Sequence, residues 1–235
     1  MAPDSPGDPN LAGNTLAAGH PSQLRLVWVL TLVVAAVLVW SAIHPKDRFT
    51  WFLEVLPALI AWPLLAFTYR RLRFTSLTYS FIALHMAVLM VGGHYTYAEV
   101  PIFDWLRDTF HLARNNYDRL GHLMQGLVPA LVAREVLLRA SPLKRGKWLF
   151  TLVTCVCLAV SALYELIEWG AAVTEGSAAD AFLGTQGDPW DTQWDMFMAL
   201  VGSLLAQVFL APWQDRQMGS GEMANVQCEM SDVKD

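Results

Sequence analysis

Charge is scarce in this chain: Asp, Glu, Lys and Arg supply 16% of its 235 residues, against 54% hydrophobic ones. With no basic patch and no alternation of basic and aromatic residues, nothing invites nucleic acid. Cysteine is nearly absent too, at three residues. Cys155 and Cys157 lie two apart on one expected helix and face different sides, while Cys228 sits in a polar tail, so no disulfide framework arises. Also missing are a CxxC pair for metal, a nucleophilic serine motif, a phosphate loop, a dinucleotide fingerprint and a visible inverted repeat. The net charge of −5 comes largely from acidic ends and loops and says little about partners.

What the chain does have is uninterrupted apolar runs of about 20 residues, the length that crosses a ~30 Å hydrocarbon core, together with 10 Trp. The pattern predicts an all-α, polytopic membrane helix bundle of about six spans, near 25–43, 51–69, 74–94, 118–138, 148–172 and 191–211. Residues 1–24, with Pro3, Pro6, Pro9 and Pro21 among Gly, Ser and Asn, read as a flexible leader. Residues 213–235 read as a flexible tail. The second span, interrupted by Glu54, Pro57 and Pro63, reads as a kinked or partly re-entrant helix.

Lys and Arg collect in two connections. Arg70, Arg71 and Arg73 follow span two, and Arg139, Lys144, Arg145 and Lys147 follow span four, which assigns both loops to the cytoplasm. The loop 173–190 carries Glu175, Asp180 and Asp188 with no Lys or Arg, so it and the loops 44–50 and 95–117 are expected outside, with both termini cytoplasmic.

This topology gathers His94, Asp118, His122, Glu165, Glu168, Asp191 and Asp195 at the outer ends of four spans. Asp118 and His122 are spaced i, i+4, as are Asp191 and Asp195, and Glu165 and Glu168 are spaced i, i+3, so each pair shares a helical face. Ionisable groups in apolar spans are costly unless paired, hydrated or ligated. Five carboxylates and two imidazoles against Arg114 and Arg119 ask for protons or a cation. Mixed carboxylate and imidazole donors suit Zn²⁺, Mn²⁺ or non-haem iron. The expected ligands are His94, His122, Glu165, Glu168 and Asp195, with Asp118 or Asp191 transferring protons.

Plainer roles compete with these. Asp188-Pro189-Trp190-Asp191 reads as a helix start with Asp188 as N-cap, Asp118 has a similar alternative, and Arg114 with Arg119 offers a purely structural ion-pair cluster. Tyr95, Tyr97, Tyr117, Trp169, Trp190 and Trp194 read as interface anchors. His85 reads as a core histidine, and Glu54 lacks a partner at helical spacing.

The runs HYTYAEVP at 94–101, RNNYDRLGHLMQG at 114–126, ALYELIEW at 162–169 and DPWDTQWDM at 188–196 resemble the YjdF-type family of bacterial inner-membrane proteins, a domain of unknown function, over about residues 25–212. The second half bears a weaker likeness to the VanZ-like family. Asp118, His122, Glu165, Asp191, Asp195 and Gly202 fall on that pattern in order. Asp195 stands where Asn is usual there, Met198 where Gly is usual and Glu168 where Gln is common. The association of that family with resistance to teicoplanin-type glycopeptides implies an effect at the cell envelope, by analogy alone.

Three functions are compatible with these features. The first is a metal-assisted hydrolase or transferase acting on a lipid or lipid-linked envelope substrate. The second is a proton- or cation-coupled transporter, which the scarcity of acids in the cytoplasmic halves of spans three to six disfavours. The third is a non-catalytic scaffold or ligand-binding subunit.

Overall fold

The computed structural model describes residues 21–175 and 185–219, and every regular element among them is helical. They are α1 (Pro21–Ala42), α2 (Arg48–Thr68), α3 (Ser76–Tyr95), α4 (Pro101–Phe110), α5 (Tyr117–Ala140), α6 (Lys147–Glu175) and α7 (Asp191–Leu205). The last continues through a π-helical turn, Ala206–Leu210, and further helix to residue 219. Five of these helices are long and apolar enough to cross a membrane. Large apolar side chains such as Leu32, Phe67, Val173 and Phe209 stand out from them exposed, as lipid-facing positions do.

α5 is the sixth long helix. It carries Asp118, Arg119, His122, Arg134, Glu135 and Arg139, and lipid on all sides would make that sequence expensive. The fold removes the expense by packing α5 against α3, α6 and α7. The α5–α7 crossing is unusually close: a Cβ on Gly126 would overlap the Ala199 backbone, and one on Gly202 would overlap the Leu123 carbonyl. Small residues let two backbones approach this way in membranes.

Several boundaries differ from the sequence expectation. α1 begins at Pro21, inside the expected leader. α2 is one continuous helix despite Pro57 and Pro63, started by Asp47, whose side chain accepts from Thr50 N at 2.7 Å. The final helix runs past the expected start of the tail at 213, because Gln214 is fully buried and hydrogen-bonded and Gln217 Oε1 accepts from Leu77 N at 3.0 Å. The remaining leader, the tail from 220 and Cys228 lie outside the described residues. Cys157 is buried and Cys155 exposed, as their spacing requires.

The connections sort onto two faces. On one, Lys46 pairs with Glu99 and Lys46 N donates to the His94 carbonyl at 3.1 Å. On the other, Gln23 Nε2 donates to the Phe74 carbonyl at 2.8 Å and Arg139 to the Arg73 carbonyl. The basic connections predicted to share a side therefore do so.

A buried network that sequence reasoning missed lies near that basic face. Glu135, fully buried, accepts from Thr75 N at 3.0 Å, Thr75 Oγ1 at 2.6 Å, Thr78 Oγ1 and Gln214 Nε2 at 3.0 Å, and it pairs with Arg139 at 3.0 Å. Arg134 meets Gln214 and both oxygens of Asp215. Every one of these contacts is internal, so the network stitches α3, α5 and the end of α7 together. It also means that the basic half of span four does hold an acid.

Candidate functional site

The opposite face gathers the acids and imidazole. α5 starts where Asn115 Oδ1 accepts from Tyr117 N at 3.1 Å, which sets Asp118 in the first turn and His122 one turn deeper. α7 starts at Asp191 with Trp190 as N-cap, not with Asp188 as expected. Asp188 instead accepts from Trp190 N at 2.9 Å, shaping the turn before the helix. Asp191 and Asp195 then point inward from successive turns, at 6% and 2% exposure.

Asp118, His122 and Asp195 each offer a donor atom, and these atoms lie within 4.8 Å of one another, all three residues buried. Donors each ~2.1 Å from a single ion lie at most ~4.2 Å apart. An ion shared by the three would therefore require small side-chain movements. His122 Nε2 faces Asp118 Oδ1 at 3.5 Å, and its Nδ1 meets Gln125 Oε1 at 2.9 Å and Glu165 Oε1 at 3.8 Å. Asp195 Oδ1 and Glu165 Oε1 are buried with no hydrogen-bond partner among the described residues. Orphaned carboxylate oxygens at this depth are costly unless a proton or a bound ligand satisfies them.

The expected seven residues separate into three groups. Asp118, His122, Glu165 and Asp195 come together, and buried Glu168 joins them at the wall of a cavity shared with Asp118 and His122. Asp191 is taken by Arg114, which also reaches Asp118 at 3.5 Å and Asp188 at 3.7 Å. Arg119 pairs with Asp188 at 3.0 Å and stacks over Trp194. The ion-pair alternative thus accounts for Asp191 and Asp188, and it extends to Asp118 through Arg114. His94 stands apart: its Nδ1 lies 3.0 Å from the Ser41 carbonyl and its ring packs against Trp40 and Tyr95, tying α3 to α1.

Two participants were assigned differently by the sequence reading, which left Glu54 as a candidate second intramembrane site without a partner and gave Tyr97 another role. Glu54 is buried and accepts from the Tyr164 hydroxyl at 3.0 Å, a contact between α2 and α6 that no helical spacing reveals. Tyr97, expected as an interface anchor, is buried instead. Thr96 and Tyr97 both take left-handed backbone, φ 58° and 51°, at the end of α3. That conformation costs non-glycine residues ~1–3 kcal/mol each. It turns the Tyr97 ring back between Gly92 and Gly121, where no Cβ would fit without displacing it. Tyr117 is buried beside it, while Trp169, Trp190 and Trp194 are exposed as expected of anchors.

Glu54, Tyr97, Asp118, His122, Tyr164 and Glu168 form the polar end of a cavity of about 670 Å³. The rest of its wall is mostly Ala, Val, Leu, Ile, Met and Pro from α2, α3, α5 and α6, interrupted by His85, Gln125 and Thr68. Leu64, Val156 and Val160 belong both to this wall and to the exposed surface, so the cavity opens sideways where lipid lies.

Comparison with known proteins agrees with the sequence motifs. A family profile described as "Predicted membrane protein (DUF2238)" matches residues 26–216. The chain is 51% identical over 187 residues to the Inner membrane protein YjdF of Escherichia coli (strain K12), covering 80% of this chain and 90% of that one. No solved structure matches. With five apolar spans and a polar, lipid-accessible cavity, this chain is an integral membrane protein and belongs to the DUF2238 family of predicted membrane proteins.

Proposed function

We propose that this protein is a metal-assisted membrane enzyme, a hydrolase or transferase, acting on a lipid or lipid-linked substrate at the outer side of the inner membrane. The observation that carries this reading is a buried carboxylate–imidazole group set at the end of an apolar cavity open to the lipid phase. Asp118, His122 and Asp195 would hold one divalent ion, Zn²⁺, Mn²⁺ or iron, with Glu165 beside His122 as a further donor. Such an ion polarises a phosphoryl or ester oxygen or generates hydroxide from bound water. Glu168, in the cavity wall, is positioned to move the proton, a role the sequence had suggested for Asp118 or Asp191.

Orientation rests on the basic connections beyond α2 and α5, which favour the cytoplasm and turn the acidic face outward. The cavity wall favours hydrocarbon over a hydrated ion, since below the polar end it carries His85 as its one ionisable group among the described residues. That weighs against the transport reading.

Elemental analysis of the purified protein tests the proposal. About one equivalent of metal is expected, lost in His122→Ala and Asp195→Asn and kept in Glu54→Gln. A metal-free wild type, or unchanged content in both ligand variants, overturns it.

A further inference from the structure

The cavity has a direction. On α2 its wall runs from Glu54 to Thr68, fourteen residues or about 21 Å of helix. One leaflet contributes only about half of the ~30 Å hydrocarbon core. The slot therefore starts at a polar end within one leaflet and continues past the midplane. Its lips are α2 and α6, with Leu64 on one side and Val156 and Val160 on the other, all exposed. The Glu54–Tyr164 hydrogen bond crosses between these helices at the polar end, above the opening.

A hydrocarbon wall whose carboxylates all gather at one end, with His85 the ionisable group below them, matches an amphiphile. A second cavity, about 370 Å³ between α1, α2 and α3, has no carboxylate or imidazole in its lining and offers no such polarity. We infer that the slot between α2 and α6 binds one long hydrocarbon chain of a membrane amphiphile, entered sideways from the bilayer, so that its head group rests against Glu54, Tyr164 and Glu168. This deepens the proposed function, on which the identity of the head-group site rests, by assigning the tail site and the route of entry. A head group held there meets the cavity-facing side of Asp118 and His122. The Glu54–Tyr164 contact closes the slot above it.

The test is photolabelling in phosphatidylcholine vesicles that contain a trace of a single-chain palmitoyl lysophospholipid with a diazirine near its methyl end. Adducts mapped by peptide mass spectrometry are expected at the far end of the slot, on Leu72 and Val136. Excess unlabelled lysophospholipid at about ten times its dissociation constant lowers them about tenfold. Adducts on Phe67 and Phe209, which face bulk lipid, persist. Ala61→Trp, which fills the slot midway, removes the far-end adducts. Labelling at Leu72 and Val136 that resists competition overturns the inference, whether or not the Trp variant folds. So does equal labelling in a folded Ala61→Trp. Metal measured on the same samples separates the two claims. Competed slot labelling without metal sinks the enzyme reading alone, whereas metal with uncompeted labelling sinks the slot alone.

Discussion

Arg114 and Asp191 form a buried ion pair, each side chain 7% exposed, that joins the residues leading into α5 to the first residue of α7. The same guanidinium reaches Asp118 and Asp188, so one arginine organises three carboxylates at the rim of the deeper site. Removing it is expected to cost far more than an exposed charge would. Arg114→Ala should lower stability by about 3–5 kcal/mol, because it strands buried carboxylates. Arg114→Met combined with Asp191→Leu should recover much of that loss. Thermal unfolding in detergent reads both.

The network around Glu135 predicts a separation of stability from chemistry. Glu135→Ala takes the acceptor from the buried Thr75 amide and Thr78 hydroxyl, removes one of several partners from Thr75 Oγ1 and Gln214 Nε2, and breaks the pair with Arg139. A loss of about 3–5 kcal/mol is expected. Metal content should stay at the wild-type level, since this group lies near the other face.

The α5–α7 crossing admits no added atoms. Gly126→Ala and Gly202→Ala each set a methyl group against backbone and not against a movable side chain. Destabilisation of about 1–3 kcal/mol or more should follow. Because the crossing also holds His122 and Asp195 in register, metal retention should fall together with the melting temperature.

The Tyr97 wedge separates shape from polarity. Tyr97→Ala empties a site between Gly92 and Gly121 and should cost about 3–5 kcal/mol. Tyr97→Phe keeps the ring and should melt within a few degrees of the wild type.

Topology is tested by cysteine labelling in intact cells. Lys46→Cys, on the acidic face, should react with a membrane-impermeant maleimide. Lys144→Cys, on the basic face, should react after permeabilisation alone. The reverse pattern would place the site in the cytoplasmic leaflet.

Span length and apolar content were enough to determine a helical membrane protein, because a backbone in hydrocarbon must satisfy its own hydrogen bonds. The i, i+4 spacings Asp118/His122 and Asp191/Asp195 showed which residues share a face, because helix geometry is local. The partner of each face was beyond local rules. Glu54 meets Tyr164 across 110 positions, Glu135 meets Gln214 across 79, and His94 turns to α1 and away from His122. Close approach of α5 and α7 at Gly126 and Gly202, together with the left-handed turn at Thr96 and Tyr97, decided which acids share a cavity and which are matched by arginine. Helical period assigns a side chain to a stripe. Only packing decides what that stripe faces.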